Sequence, residues 1–198
     1  MPLLGPSLEQ LLNQCDYDSR GGRISWPAAS FLGAQLVSIL RDVHSKGVVH
    51  CDVKPGNVLV GLDDAKVYLI DFGLARDANA AHFENAAGTL PFNSIQAGYG
   101  GVRLPSDDME SVGWMLLRCV TGSLPWVSRG PGVNSKDALE WQKRSEGMSM
   151  AKELFLEDPC IFGTDLYCPP ALGQYISACR QLGAEEQSEP VRSEPFMK

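Results

Sequence analysis

The sequence lacks an apolar run long enough to span a bilayer, so no transmembrane segment is expected. Its first residues carry neither a charged stretch before an apolar core nor a cleavage site, and we therefore expect no secretory signal. Basic residues are few: 17 Lys and Arg against 24 Asp and Glu give a net charge of −7 over 198 residues. This balance predicts no overall attraction to nucleic acid.

The six cysteines include no C-x-x-C pair, and neither they nor the three histidines follow the spacing of a metal site. Reduced thiols in a cytoplasmic or nuclear protein are therefore expected. There are no internal repeats. With 44% hydrophobic residues, a chain of this length predicts one domain with a single core.

Hydrophobic periodicity predicts a mainly α-helical fold. Three long stretches, each followed by a glycine, have apolar residues at three- and four-residue steps. These predicted helices cover residues 27–46, 108–121 and 171–182. The second is apolar over most of its surface, which predicts a central, buried helix. Weaker signals predict helices after Ser7 and at residues 139–142 and 150–156.

Two stretches have little periodicity. Residues 73–106 are rich in Gly, Ala and Asn, and they are predicted to form one long functional loop. Residues 184–198 are rich in Glu, Ser and Pro and are predicted to be disordered.

A small β-hairpin is predicted in the first half of the chain. The run Val58–Val60 precedes a Gly-Leu-Asp-Asp turn, and a second apolar run at residues 67–70 follows it. The two ends of such a hairpin would hold Asn57 and Asp71 close together.

The string His-Cys-Asp-Val-Lys-Pro-Gly-Asn at residues 50–57, with Asp-Phe-Gly starting nineteen residues after Asp52, carries the chemistry. Phosphoryl transfer from a magnesium nucleotide needs a carboxylate to orient the attacking hydroxyl, a cation near the phosphate and oxygen ligands for the metal. Asp52, Lys54, Asn57 and Asp71 supply that set. A lone Asp-x-Lys-Pro is usually a surface turn, but the order and spacing of all four residues favour the catalytic interpretation.

The chain resembles the large, C-terminal lobe of a eukaryotic protein kinase, and within those kinases the casein kinase I group with its vaccinia-related and tau-tubulin relatives. The resemblance covers residues 1–182 and leaves 183–198 as a polar tail. The Ala-Pro-Glu of most kinases is absent, as in that group. The strings that carry the resemblance are Leu-Gly-Pro-Ser-Leu-Glu from residue 4, His-Ser-Lys-Gly from 44, Asp-Phe-Gly-Leu-Ala-Arg from 71, Asp-Asp-Met-Glu-Ser-Val-Gly from 107, Gly-Ser-Leu-Pro-Trp from 122 and Cys-Arg-Gln-Leu from 179.

The resemblance implies a serine/threonine kinase that uses ATP and Mg²⁺ on protein substrates. Asp52 would be the catalytic base and Lys54 would sit beside the γ-phosphate. Asn57 and Asp71 would hold magnesium. Leu4 would belong to the hinge that binds adenine.

Further roles are implied with a plainer alternative beside each. Leu59 and Ile70 would form the floor of the adenine site, and they are equally credible as core residues. Asp108 would anchor the catalytic loop, with a simple N-cap as the alternative. Thr89 would contact Asp52 and Lys54. Trp126 is expected to pack in the core.

Kinase phosphate binding also uses a Gly-rich loop, a strand lysine and a helix glutamate from an N-terminal lobe. The sequence starts at the hinge, so we expect a truncated form with a missing N-lobe or a partner chain, and little turnover by the chain alone. Cys51 replaces the arginine that many kinases pair with an activation-loop phosphate, which predicts activity independent of that phosphate. Burial is expected for this cysteine rather than a redox role.

Two alternative functions stay open. A non-catalytic pseudokinase would keep the lobe as a scaffold for protein–protein interaction. A small-molecule kinase with similar loops is a weaker alternative, because the Gly-Ser-Leu-Pro-Trp and Asp-Asp-Met-Glu-Ser strings are typical of protein kinases.

Overall fold

A computed structural model describes residues 4–15, 22–62, 65–78, 88–127, 138–163 and 168–188. Within these ranges the fold is mainly α-helical with a small β-hairpin, and the predicted fold class is confirmed. The helices are α1 Leu8–Cys15, α2 Trp26–His44, α3 Ile95–Gly98, α4 Pro105–Thr121, α5 Ala138–Glu157 and α6 Pro170–Ser188. The strands are β1 Val48–Val49, β2 Val58–Val60, β3 Val67–Leu69 and β4 Arg76–Asp77.

Helix α4 is the centre of the core, as its sequence predicts. Trp114, Met115 and Leu117 are fully buried on it. Two glycines let neighbouring helices approach closely: a Cβ at Gly33 of α2 would lie 2.7 Å from a methyl of Leu116, and one at Gly113 would overlap Ile176 of α6. Each large apolar side chain buried here contributes roughly 1.5–3 kcal/mol.

The hairpin forms as predicted, with Val58 opposite Leu69 and Val60 opposite Val67. The segment before α1 runs along its outer edge, because Gly5 N donates to Val60 O at 2.9 Å and Val60 N donates to Pro6 O at 3.1 Å. A second, unpredicted pair joins β1 to β4 antiparallel. This pair closes the chain around the hairpin and brings together the segments on either side of it.

Four predictions of secondary structure need correction. The stretch 73–106 is not one loop, since it contains β4 and α3. Helix α4 begins at Pro105, so Asp108 lies inside the helix and its N-cap alternative is wrong. The final helix continues to Ser188. Disorder is therefore wrong for residues 184–188, while residues 189–198 lie outside the described residues.

The fourth correction concerns α5, which is one continuous helix where two weak segments were predicted. Its inward face is largely polar: Ser145, Ser149 and Lys152 are all buried. Apolar periodicity therefore had little to detect. Within the described ranges, none of the helices combines the length and hydrophobicity needed to cross a lipid bilayer.

Candidate active site

Asp108 fixes the backbone of the loop that connects β1 to β2. Its carboxylate is 1% exposed and accepts from His50 N at 2.7 Å and from Cys51 N at 2.8 Å. His44 Nε2 lies 2.8 Å from the same carboxylate. Cys51 has a φ of 67°, a conformation that costs about 1–3 kcal/mol outside glycine. The anchoring role expected for Asp108 is therefore confirmed, and its hydrogen bonds hold this unfavourable backbone in place.

Asp52, Lys54 and Thr89 form a closed hydrogen-bonded triangle. Lys54 Nζ lies 2.7 Å from Asp52 Oδ2 and donates to Thr89 Oγ1 at 2.9 Å. The Thr89 hydroxyl donates to Asp52 Oδ1 at 2.7 Å. Thr89 is far from this loop in sequence, and its expected contacts with Asp52 and Lys54 are confirmed.

Asn57 completes the loop from the other end. Its Nδ2 donates to the backbone oxygen of Asp52 at 2.9 Å and to Asp52 Oδ2 at 3.1 Å. Because the nitrogen faces Asp52, Oδ1 is the atom of Asn57 that can ligate a metal. The 3₁₀ turn Pro55–Asn57 places the residue here, and Asn57 is buried.

Asp71 is tied to the same loop through its neighbours. Ile70 N donates to Asn57 O at 2.9 Å, and His50 Nε2 lies 3.0 Å from Ile70 O. The Phe72 ring meets the His50 ring edge-on, with centroids 4.7 Å apart. Asp71 itself has a φ of 64° and an exposed side chain, whose Oδ1 accepts from Gly73 N at 3.2 Å. The hairpin thus joins the segments that carry Asn57 and Asp71, as predicted.

The donor set at Asn57 and Asp71 fits magnesium. Mg²⁺ takes oxygen ligands and usually keeps several waters, so one or two protein oxygens and the substrate phosphates are sufficient. The described residues contain no group of three or more His, Cys, Asp or Glu that could hold a metal by itself. A site made by protein and nucleotide together is compatible with both observations.

The three residues predicted for the adenine site lie along the hairpin edge. Leu59 is in β2 beside Ser7, Ile70 follows β3, and Leu4 lies on the adjoining segment. All three are half-buried. Their contact with a nucleotide stays a prediction.

Cys51 and Trp126 have the environments expected of them. Cys51 is buried, and burial raises the pKa of its thiol to about 12, which is unsuited to redox chemistry. Trp126 packs edge-on against Trp114, with ring centroids 5.1 Å apart.

Sequence reasoning missed the residues that hold the segment after Thr89. Lys152 Nζ donates to Asn93 O at 2.6 Å and to Leu90 O at 3.3 Å. Glu110 Oε1 accepts from Ile95 N at 2.8 Å. Burial lowers the pKa of Lys152 and raises that of Glu110. A lysine and a glutamate normally indicate solvent-facing positions, so no sequence signal marked either residue as internal.

His50 is also more than part of a motif. Its Nδ1 accepts from Asp52 N at 3.3 Å, so its Nε2 is the donor to Ile70 O. One imidazole therefore bridges the segments that carry Asp52 and Asp71.

A family model described as "Protein kinase domain" matches residues 5–158, which is more than three quarters of the chain.

Proposed function

The chain belongs to the protein kinase family, and from that premise we propose that it transfers the γ-phosphoryl group of ATP to serine and threonine hydroxyls of proteins, as a member of the casein kinase I group. The observation that carries the proposal is the triangle of Asp52, Lys54 and Thr89. A carboxylate, an ammonium and a hydroxyl are held within hydrogen-bonding distance on a loop whose backbone is fixed from both sides.

The carboxylate of Asp52 has one acceptor position left for a substrate. An ionised carboxylate has about four acceptor positions. Lys54, Thr89 and Asn57 use three of those of Asp52. The remaining lone pair can accept the proton of a substrate hydroxyl and orient its oxygen for attack.

Lys54 likewise has one hydrogen-bond donor that is not used by Asp52 or Thr89. Its ammonium has three N–H donors, of which one points to Asp52 and one to Thr89. The third can donate to a phosphate oxygen and stabilise the negative charge there. Lys54 would thereby hold a phosphate oxygen of the nucleotide close to Asp52, which orients the substrate hydroxyl.

Magnesium, when bound to Asn57 and Asp71, would neutralise charge on the nucleotide phosphates. The protein's own contribution is to keep the side-chain oxygens of Asn57 and Asp71 in position. Asn57 is oriented by its bonds to Asp52, and Asp71 by the bond from Gly73 N and by the fixed backbone of Ile70.

The finer assignments rest on sequence strings. The Asp-Asp-Met-Glu-Ser and Gly-Ser-Leu-Pro-Trp strings support the casein kinase I group. A lysine two residues after the base supports serine and threonine as acceptors. Five cysteines among the described residues are free thiols, which supports a reducing compartment such as the cytoplasm or nucleus.

We further propose that a second lobe, in this protein or in a partner chain, covers the other face of the nucleotide. Leu4, Leu59 and Ile70 are half-buried and Phe72 is 46% exposed, and such a lobe would cover these apolar side chains. It would supply the Gly-rich loop and the strand lysine of the kinase reaction.

The test is phosphoryl transfer from labelled ATP to three peptides that differ only in a Ser, Thr or Tyr acceptor. Asp52→Asn should lower the rate by about 10²–10⁴-fold, because the hydroxyl loses its base. Asp42→Asn, on an exposed residue of α2, is the matched control.

Transfer that survives Asp52→Asn would refute the proposed mechanism. If neither the chain nor the chain supplied with a second lobe transfers phosphate or binds Mg²⁺ with ATP, the scaffold function is favoured instead. Equal transfer to the Tyr peptide would refute the proposed acceptor class.

A further inference from the structure

We propose that Lys152 is a positioning residue for the protein substrate: from the core it holds residues 90–93 beside Asp52. The substrate role rests on the proposed function, whereas the anchoring of residues 90–93 rests on the contacts of Lys152. Nothing in the kinase motifs of the chain assigns a role to this residue.

Backbone carbonyl groups of residues 90–93 take the place of water around the ammonium group of Lys152. The side chain is 1% exposed, and its ammonium donates to the carbonyl oxygens of Asn93 and Leu90. The rings of Trp114 and Trp126 lie 5.7 and 5.5 Å from Nζ, at cation–π distance. A buried ammonium without these partners would be strongly unfavourable, so the cation and the two carbonyl groups fix each other's positions.

Other buried groups hold the backbone between residues 91 and 95. Trp126 Nε1 donates to Pro91 O at 2.9 Å, and Glu110 accepts from Ile95 N. Ser149, one helical turn before Lys152 on α5, donates to Ile95 O at 3.0 Å. The backbone at residues 90, 91, 93 and 95 is therefore held by side chains from α4, α5 and the loop after α4.

The position of this segment decides what can approach the catalytic triangle. Thr89 belongs to the triangle, and residues 90–93 continue directly from it. Leu90 and Pro91 are half-buried and directly follow Thr89, so we expect them to form an apolar border beside Asp52, while Phe92 packs against the core. A peptide that brings its hydroxyl to Asp52 must pass along this border, and Lys152 sets where the border lies.

Hydrogen exchange tests the anchoring without any need for turnover. In Lys152→Met, the amides of Phe92 and Asn93, which donate to Thr89 O, should exchange at least about tenfold faster, since a charge-assisted bond is lost. The amides of His50 and Cys51 should keep their protection. Lys143→Met, on the exposed face of the same helix, is the matched control and should behave as the unaltered chain.

Trp126→Phe is the second variant. It removes the bond to Pro91 O and leaves a smaller ring beside Lys152 and Trp114, while both bonds from Lys152 Nζ are kept. It should therefore loosen residues 90–93 in the same direction but less, and it carries the test if Lys152→Met does not fold. Unchanged protection at residues 92 and 93 in the variants that fold would overturn the inference. A uniform loss of protection over the whole chain would do so as well, because it indicates general destabilisation.

Peptide kinetics test the substrate role. Lys152→Met should raise the KM for the peptide about tenfold, while kcat and the KM for ATP stay within about twofold. Equal changes in all three constants would overturn the inference and indicate a structural role alone.

If the unaltered chain does not turn over even when a second lobe is supplied, the proposed function fails, and the anchoring is still measured by exchange. Peptide affinity is then measured by fluorescence anisotropy with a labelled serine peptide. A weaker Kd in Lys152→Met supports the inference, whereas an unchanged Kd, or no binding by the unaltered chain, overturns it.

Discussion

Replacing Asp108 with asparagine changes one atom of the core and removes the charge that holds the loop at residues 50–57. The carboxylate accepts from the backbone nitrogens of His50 and Cys51 through its two different oxygens. An asparagine keeps one acceptor oxygen, and its amide nitrogen would face the other N–H. One buried donor is therefore left without a partner, and the remaining bond is no longer charge-assisted.

The expected loss follows from these contacts. A hydrogen bond to a charged group contributes about 1.5–3 kcal/mol, and an unpaired buried N–H costs about 1–3 kcal/mol. Together they predict a fall of about 2.5–6 kcal/mol in the free energy of unfolding. Domains are stable by only about 5–15 kcal/mol, so this one change would remove a large share of the stability. The left-handed backbone of Cys51 would also lose its main restraint.

Urea unfolding followed by circular dichroism measures this loss. With a slope of about 2–3 kcal/mol per molar urea, the midpoint should fall by about 1–3 M. Asp42→Asn, which removes an exposed carboxylate from α2, should leave the midpoint unchanged. A loss below about 1 kcal/mol in Asp108→Asn would refute the reasoning, since it would mean that the two backbone bonds contribute little.

Two further predictions concern packing and pH. Gly113→Ala should lower the free energy of unfolding by about 1–3 kcal/mol, because its Cβ would overlap Ile176. Gly147→Ala, with open space around its Cβ on α5, should raise it by up to about 1 kcal/mol, and equal signs in urea unfolding would contradict one of the two predictions. Burial raises the pKa of Asp107 from 3.8 to about 6, so its proton is held more tightly in the folded chain. This contribution, at most about 3 kcal/mol, is fully present below pH 3.8 and is lost as pH rises to about 6. In Asp107→Asn, urea unfolding should show a smaller fall in the free energy of unfolding between pH 3.8 and about 6, with the share of Glu110 remaining. An identical fall in that variant would contradict the assignment.

Local sequence signals predicted the parts of the molecule that depend on few residues. The hairpin and the loop at residues 50–57 followed from β-branched runs, a turn and the spacing of Asp52, Asn57 and Asp71. The central helix followed from an apolar surface that only a core can accommodate. The contacts of Thr89 could be expected only through the resemblance, because nothing local links that residue to Lys54.

Parts of the fold that depend on tertiary contacts were not predictable. Helix α5 buries a serine and lysine face, which hydrophobic periodicity cannot detect. The end of α6 gains partners that the sequence does not mark, since Ser106 N donates to Glu186 at 3.3 Å and Gly183 lies against Ser106. The pair of β1 and β4 is two residues long on each side, too short to give an alternating pattern.

That two-residue pair has a consequence for the order in which the molecule assembles. Pairing Val49 with Arg76 closes a large ring of chain, whereas β2 and β3 are joined by a turn of a few residues. The entropy lost on closing a ring grows with its length, so we expect the small ring to close first and to shorten the larger one. Asn57 and Asp71 flank the hairpin and Asn57 bonds to Asp52, so these residues would come together with the small ring. A chain trapped halfway would have them in place before β1 and β4 pair.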